Sequence, residues 1–203
     1  PGDMKVASGK TFKEQFGPRG VIHSWAQSDG TQKIEDTGPL TSERMKTFDD
    51  EVLELGLGFI GRQHRAGKPF FLWMNSTRMH YPTYLPDEWD GASGRGLYAD
   101  GMLQHDAWVG AILNHLDELG IAENTIVIYN ADNGPQSSLW PDGGVTPYRS
   151  EKFTSWEGAY RVPGAVRWPE RIPKGSVSNE IMSNLDWFPT LLAAAGDPDI
   201  KGK

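Results

Sequence analysis

Apolar residues recur at alternating spacings of three and four between Thr41 and Arg65, at Met45, Phe48, Val52, Leu55 and Phe59. That spacing lays one apolar stripe along a helix, with Thr41 or Ser42 placed to cap its N-terminus. Gly56, Gly58 and Gly61 lower the helix propensity without breaking the period. Gly67-Lys68-Pro69 ends the pattern, and Phe70-Phe71-Leu72-Trp73-Met74 follows as a continuous apolar run. Its shortness and turn-rich flanks predict a buried strand. A second stripe, Met102, Asp106, Val109, Leu113 and Leu116, predicts a helix over about 97–119. Asp106 falls on its apolar face, where a carboxylate needs hydrogen bonds or a cation, so a structural role is expected for it. Ile126-Val127-Ile128-Tyr129 reads as another buried strand, ended abruptly by Asp132-Asn133-Gly134.

Strand, helix and strand in succession predict a right-handed βαβ unit with parallel strands. The fold class expected is therefore α/β, a mixed or mainly parallel β-sheet flanked by helices. Neighbouring strands lie about 4.8 Å apart. The chain just past Ser76 and just past Tyr129 would then emerge at one sheet edge, where His80 and Asp132 can meet. Residues 1–40 carry no sustained period and read as irregular surface structure. Residues 134–157 form a loop too long for a compact domain unless it is functional or disordered. Trp140, Tyr148, Arg149, Lys152 and Trp156 argue against disorder. A short strand is expected near 164–168, and a last helix from about Asp186 to Ala195, with Pro189 in its first turn and Gly196 as its stop.

Composition narrows the classes. The 203 residues suit one domain or most of one. No apolar run approaches the roughly 18 residues a membrane-spanning helix needs, and no charged leader precedes a short apolar segment. The absence of cysteine excludes disulfides and thiolate chemistry within the sequence. A net charge of −7 argues against non-specific nucleic-acid binding, yet a local cation cluster can still receive an anion.

Four groups carry candidate chemistry, each beside a plainer reading. His80, in Thr-Arg-Met-His-Tyr-Pro, could be an ordinary loop histidine. Lys152, in Glu-Lys-Phe-Thr-Ser-Trp-Glu-Gly, could be a solvated surface lysine. Asp132 and Asn133 offer two hard oxygens to a divalent cation, but an isolated Asp-Asn-Gly is usually a turn. Calcium takes six to eight oxygens, so further ligands would have to come from elsewhere.

Taken together and in order, Met79-His80-Tyr81-Pro82, Asn130-Ala131-Asp132-Asn133-Gly134, and Lys152 with Trp156-Glu157-Gly158-Ala159-Tyr160-Arg161-Val162-Pro163 resemble the sulfatase family. Asp106-Ala107-Trp108-Val109-Gly110 and Asp186-Trp187-Phe188-Pro189-Thr190 resemble it too, most closely the bacterial arylsulfatases within the alkaline phosphatase-like superfamily. The likeness runs from about Ser42 to Gly196. It implies sulfuric ester hydrolysis. Asp132 and Asn133 would ligate calcium, His80 would contact the ester and protonate the leaving oxygen, and Lys152 would bind a sulfate oxygen. The partner implied is a sulfate-ester small molecule or a sulfated glycan. Such roles suit a reaction that spreads negative charge over oxygens.

Departures from the family pattern qualify this. Sulfatases use a formylglycine nucleophile made from Cys or Ser in a Cys/Ser-x-Pro-x-Arg motif, which is missing here. The nearest text, Val145-Thr146-Pro147-Tyr148-Arg149, has Val145 in the nucleophile position. The upstream Asp pair and the Lys-x-His segment are missing as well, and Ala159 replaces a second glycine. The expectation is that residues 1–203 are the middle-to-late part of a sulfatase catalytic domain, with the nucleophile supplied outside this sequence and the parent protein exported to the periplasm or medium. A sheet without its upstream strands would leave an edge open to self-association. Two rivals remain. A phosphohydrolase of the wider superfamily would show more metal ligands than the five unclustered histidines, His23, His64, His80, His105 and His115, supply. A truncated homologue would bind an anion or partner and turn nothing over.

Overall fold

A computed structural model describes residues 5, 7–11, 14, 15 and 20–199. Within them the elements are β1 (Ile22–Ala26), β2 (Gln32–Asp36), α1 (Ser42–Arg65), α2 (Leu97–Glu118), β3 (Val127–Asn130), α3 (Glu157–Tyr160), β4 (Gly164–Arg167) and α4 (Trp187–Ala194). None of these helices is long and apolar enough to cross a membrane.

α1 begins where the sequence predicts. The Thr41 side chain accepts from the Arg44 N–H at 3.2 Å, capping one otherwise orphaned donor. At the far end Gly67 takes a positive φ of 62°. That conformation lets Lys68 N–H reach the Gln63 carbonyl and Gly67 N–H reach that of His64. Arg62, His64 and Arg65 in the last turn complement the helix dipole.

The helix buries a different line from the apolar stripe: Asp49, Gly56, Ile60 and Gly61 are its buried residues, whereas Leu55 is 50% exposed. α2 likewise buries Asp100, Gly101, Gln104, Trp108 and Leu116. Asp106 lies on its exposed side, so the structural role expected for it is not found. The apolar core joins Ile60, Leu116 and Ala122, with Phe70, Leu72, Ile112, Leu119, Ile121 and Val127 packed around them. Fully burying a side chain the size of Leu116 is worth about 1.5–3 kcal/mol.

The sheet differs from the expectation. The mixed or mainly parallel arrangement is replaced by two small antiparallel pairs, β1 with β2 and β3 with β4. β3 pairs Val127 with Arg167 through Asn130 with Gly164. The reason is chain reversal: the segment from 131 to 163 folds back and returns β4 along the edge of β3. The run Phe70–Met74 does alternate like a strand, with Phe71 67% and Trp73 77% exposed and Phe70, Leu72 and Met74 turned inward. No backbone–backbone hydrogen bond engages residues 69–76 among the described residues, so the run joins no sheet.

Residues 22–36, expected to be irregular, form a hairpin. Both of its strands are exposed on almost every residue, which removes the alternation that would have revealed them. For residues 1–4, 6, 12–13 and 16–19 that expectation lies outside the described residues. The hairpin docks on α1 through polar contacts. His23 Nε2 lies 3.2 Å from Glu51, which Arg44 of the same helix pairs at 3.1 Å, and Arg44 also donates to the Thr37 carbonyl just past β2 at 2.8 Å. Hydrogen bonding from Arg44, then from His23, holds the Glu51 carboxyl below its ordinary pKa against some desolvation.

Candidate functional site

His80 sits in a loop fixed from below by a buried polar network that sequence reasoning missed. Asp49 accepts from the Thr77 N–H at 2.8 Å and from the Thr77 hydroxyl at 2.7 Å. The Arg78 guanidinium meets Asp49 at 3.3 Å, donates to Gln104 Oε1 at 3.2 Å, and reaches the carbonyls of Met45, Lys46 and Tyr84. The ion pair is almost wholly sealed, with side-chain exposures of 0% and 1%. A buried guanidinium is tolerable only when its donors are matched in this way. Burial lowers the Arg78 pKa, while Asp49 and Asp50 oppose that shift. The guanidinium also stacks over Trp108 at 5.6 Å, and the Trp108 indole donates to Asp50 at 2.6 Å. One signal was available for Asp49, which lies one helix position from Phe48 of the apolar stripe; Gln104, two positions from both Met102 and Asp106, carried none.

Above this base the His80 backbone is held at both ends. Its N–H donates to the Thr77 carbonyl and its own carbonyl accepts from Thr83 Oγ1, both at 2.8 Å. The imidazole is left exposed.

A strut joins this loop to β3. Ser76 Oγ lies 3.1 Å from His105 Nδ1, and His105 Nε2 lies 3.2 Å from the Tyr129 hydroxyl. Ser76 spends its own proton on the Arg78 carbonyl. Nδ1 therefore carries the ring hydrogen, and Nε2 accepts from Tyr129. Burial pushes the His105 pKa down, partly offset by Asp49 and Asp106, in keeping with a neutral ring.

Past β3, Asp132 is exposed, and its carboxylate takes no hydrogen bond or ion pair among the described residues. The Asn133 amide nitrogen donates to the Gly134 carbonyl at 2.9 Å, which leaves its oxygen uncommitted. The turn is then braced twice. Gly134 N–H donates to Ala159 at 2.8 Å, and Lys152 N–H donates to Pro135 at 2.9 Å. A Cβ on Gly134 would collide with the Gly158 carbonyl, and one on Gly158 with the Ser150 carbonyl, so both close approaches demand glycine. Trp140 of the long loop reaches back toward His80, with its ring 6.0 Å from Tyr81 and 5.5 Å from Tyr98, both edge-on.

The structure thus brings Lys152 beside the Asp132-Asn133 turn and ties the His80 loop to the strand that carries it. No hydrogen bond or ion pair joins any two of His80, Asp132, Asn133 and Lys152, and the parallel sheet expected to align them is absent. No group of three His, Asp or Glu residues that could hold a metal occurs among the described residues. Asp132 and Asn133 supply two hard oxygens, whereas a calcium ion takes six to eight.

Comparison with known proteins assigns the family. The sulfatase family model matches residues 4–197, and the chain belongs to the sulfatase family. It is 40% identical to human arylsulfatase A over 135 residues, 66% of this chain and 26% of that protein. It is also 40% identical to canine N-acetylgalactosamine-6-sulfatase over 146 residues, 71% of this chain and 28% of that protein. Among solved structures, the PsFucS1 sulfatase from Pseudoalteromonas sp. superposes with a TM-score of 0.81 at 32% identity, covering 90% of this chain and 36% of its own. Ps i-CgsB in complex with k-i-k-neocarrahexaose superposes at 0.69 with 27% identity, covering 80% and 37%. The chain spans about a quarter of the length of the curated relatives it matches.

Proposed function

We propose that residues 1–203 are the middle-to-late part of a sulfuric ester hydrolase domain, acting on a sulfate ester borne by a glycan or a smaller molecule. The observation that carries this is the Lys152–Pro135 backbone bond, which brings the Lys152 backbone to the turn that bears the Asp132 carboxylate and the Asn133 amide, while its ammonium rests 5.2 Å over the Phe153 ring. Lys152 would hold a sulfate oxygen and offset charge gathering there as the sulfur–oxygen bond breaks. His80, exposed on a backbone fixed at both ends, would give a proton to the departing ester oxygen. Asp132 and Asn133 would hold calcium, which when bound polarises the sulfate oxygens. The remaining calcium ligands and the formylglycine nucleophile would come from segments outside this sequence, since Val145 stands where the nearest nucleophile motif needs Cys or Ser. The k-i-k-neocarrahexaose bound to Ps i-CgsB supports a glycan as the bearer of the ester.

The test is hydrolysis of a chromogenic aryl sulfate by this chain with calcium, beside Asp132→Ala and the matching aryl phosphate. In parallel, NMR follows His80 and Lys152 as inorganic sulfate is added. No turnover, with sulfate-dependent shifts at both residues, is the expected result. Sulfate turnover lost in Asp132→Ala would place the nucleophile within this chain. Phosphate turnover, or no response of either residue to sulfate, would overturn the reading.

A further inference from the structure

Two guanidinium-on-aromatic stacks stand next to one another beyond Lys152. Arg149 lies 3.7 Å over the Trp156 ring, and Arg161 lies 4.4 Å over Tyr148 while donating to its hydroxyl at 2.9 Å. Tyr148 and Arg149 are adjacent in the chain, and Gly158 N–H donates to the Arg149 carbonyl at 2.9 Å, so both stacks belong to one braced unit. Trp156 remains 49% exposed, Tyr148 38% and Tyr160 68%. The backbone beneath is held in an unusual conformation, with positive φ at Ser150 (66°) and Phe153 (72°). A β-unbranched but bulky phenylalanine seldom adopts that region unless the surroundings impose it.

Local charge departs from the global balance. The chain carries a net −7, but Arg149, Lys152 and Arg161 gather here. Of the two nearby carboxylates, Glu151 is engaged by the Ser137 N–H and hydroxyl at 2.7 and 2.6 Å, and Glu157 pairs loosely with Arg161 at 3.8 Å. Arg149 spends none of its side-chain N–H groups on a hydrogen bond among the described residues and can offer them to a planar or tetrahedral oxyanion, whereas Arg161 gives one to the Tyr148 hydroxyl and faces Glu157 with another. Exposed aromatic faces beside fixed cations suit a ligand with apolar ring faces and anionic substituents. A sulfated sugar chain has both.

We propose that Tyr148, Arg149, Trp156 and Arg161 form a binding face for a sulfated oligosaccharide, receiving sugar units and sulfate groups beyond the ester held at Lys152. This rests on the hydrolase reading above and deepens it, because it makes a chain bearing several sulfates the preferred ligand.

The experiment titrates this chain with a sulfated galactan hexasaccharide, with its desulfated counterpart, and with an oligophosphate of matched charge. Variants are Trp156→Ala, the milder double change R149Q/R161Q, and Ile34→Ser on the hairpin as a control, each checked for wild-type circular dichroism. The sulfated sugar is expected to bind at least about tenfold tighter than either comparison ligand. Trp156→Ala and R149Q/R161Q should each lose about tenfold in affinity, and the double change should flatten the salt dependence. Ile34→Ser should match wild type. Equal affinity of both face variants and wild type would overturn the proposal, as would equal binding of the oligophosphate. Aryl sulfate turnover without hexasaccharide binding would overturn it and leave the hydrolase reading standing. Variant-sensitive hexasaccharide binding with no response of His80 and Lys152 to sulfate would sustain the face and remove the hydrolase reading.

Discussion

The Gly158 N–H donates to the Arg149 carbonyl at 2.9 Å, and the Gly158 α-carbon is pressed against the Ser150 backbone so closely that no side chain fits. This contact, with the Gly134–Ala159 bond behind it, fixes where the long loop returns. Gly158→Ala should therefore cost about 1–3 kcal/mol through backbone displacement. Urea unfolding would measure it. A variant as stable as wild type would show that the loop moves aside freely.

The Arg78–Asp49 pair should dominate stability around the His80 loop. Arg78→Met leaves Asp49 buried beside Thr77 without its cation, and removing one member of a sealed pair costs about 3–5 kcal/mol. The same denaturation experiment reads this out, and a loss under about 1 kcal/mol would mean that water replaces the guanidinium. Local order should fall as well, with faster amide exchange at Thr77 and His80, whose N–H groups the network holds.

His105 gives the fold a pH dependence above the carboxylate range. Burial lowers its pKa in the folded state below the ordinary 6.5, so the unfolded chain binds the proton more readily. Its contribution to stability is complete above 6.5 and falls away as pH drops through the folded value. Protonation would also remove the Nε2 lone pair that accepts from Tyr129. Wild type should lose stability as pH falls below about 6.5, and His105→Gln should lose less over the same descent. Identical slopes would show that His105 does not titrate on unfolding. Losses below pH 4.5 are separate, because hydrogen bonding holds the Glu51 and Glu151 carboxyls below that ordinary value.

These features divide cleanly into those the sequence discloses and those it hides. The α1 boundaries were legible because Thr41 and Gly67-Lys68-Pro69 act locally. The buried line of α1 was not, because Asp49 is polar and becomes a core residue only through Thr77 and Arg78, some thirty positions away. The direction of β4 along β3 was hidden for the same reason: it depends on glycine contacts across the long loop. The Phe70–Met74 run shows that alternation reports a strand's faces and says nothing of its ladder partners. His80, Asp132, Asn133 and Lys152 were found as motifs. The Ser76–His105–Tyr129 strut was not, since His105 has no sequence neighbour that marks it.

Calcium should bind this chain weakly. Asp132 and Asn133 present two oxygens, no acidic or histidine cluster completes them among the described residues, and the ion takes six to eight. Extracellular sites with fuller ligand sets already sit at about 10⁻⁴–10⁻³ M, so a dissociation constant of about 1 mM or weaker is expected. Calcium equal to that constant adds RT ln 2, about 0.4 kcal/mol. Melting curves in about 1 mM calcium and in excess EDTA should then differ by no more than about 2 °C. Asp132→Ala should abolish even that difference. Micromolar binding that vanishes in Asp132→Ala would instead mean that this chain supplies further oxygens, and the ligand set would have to be sought among its own loops.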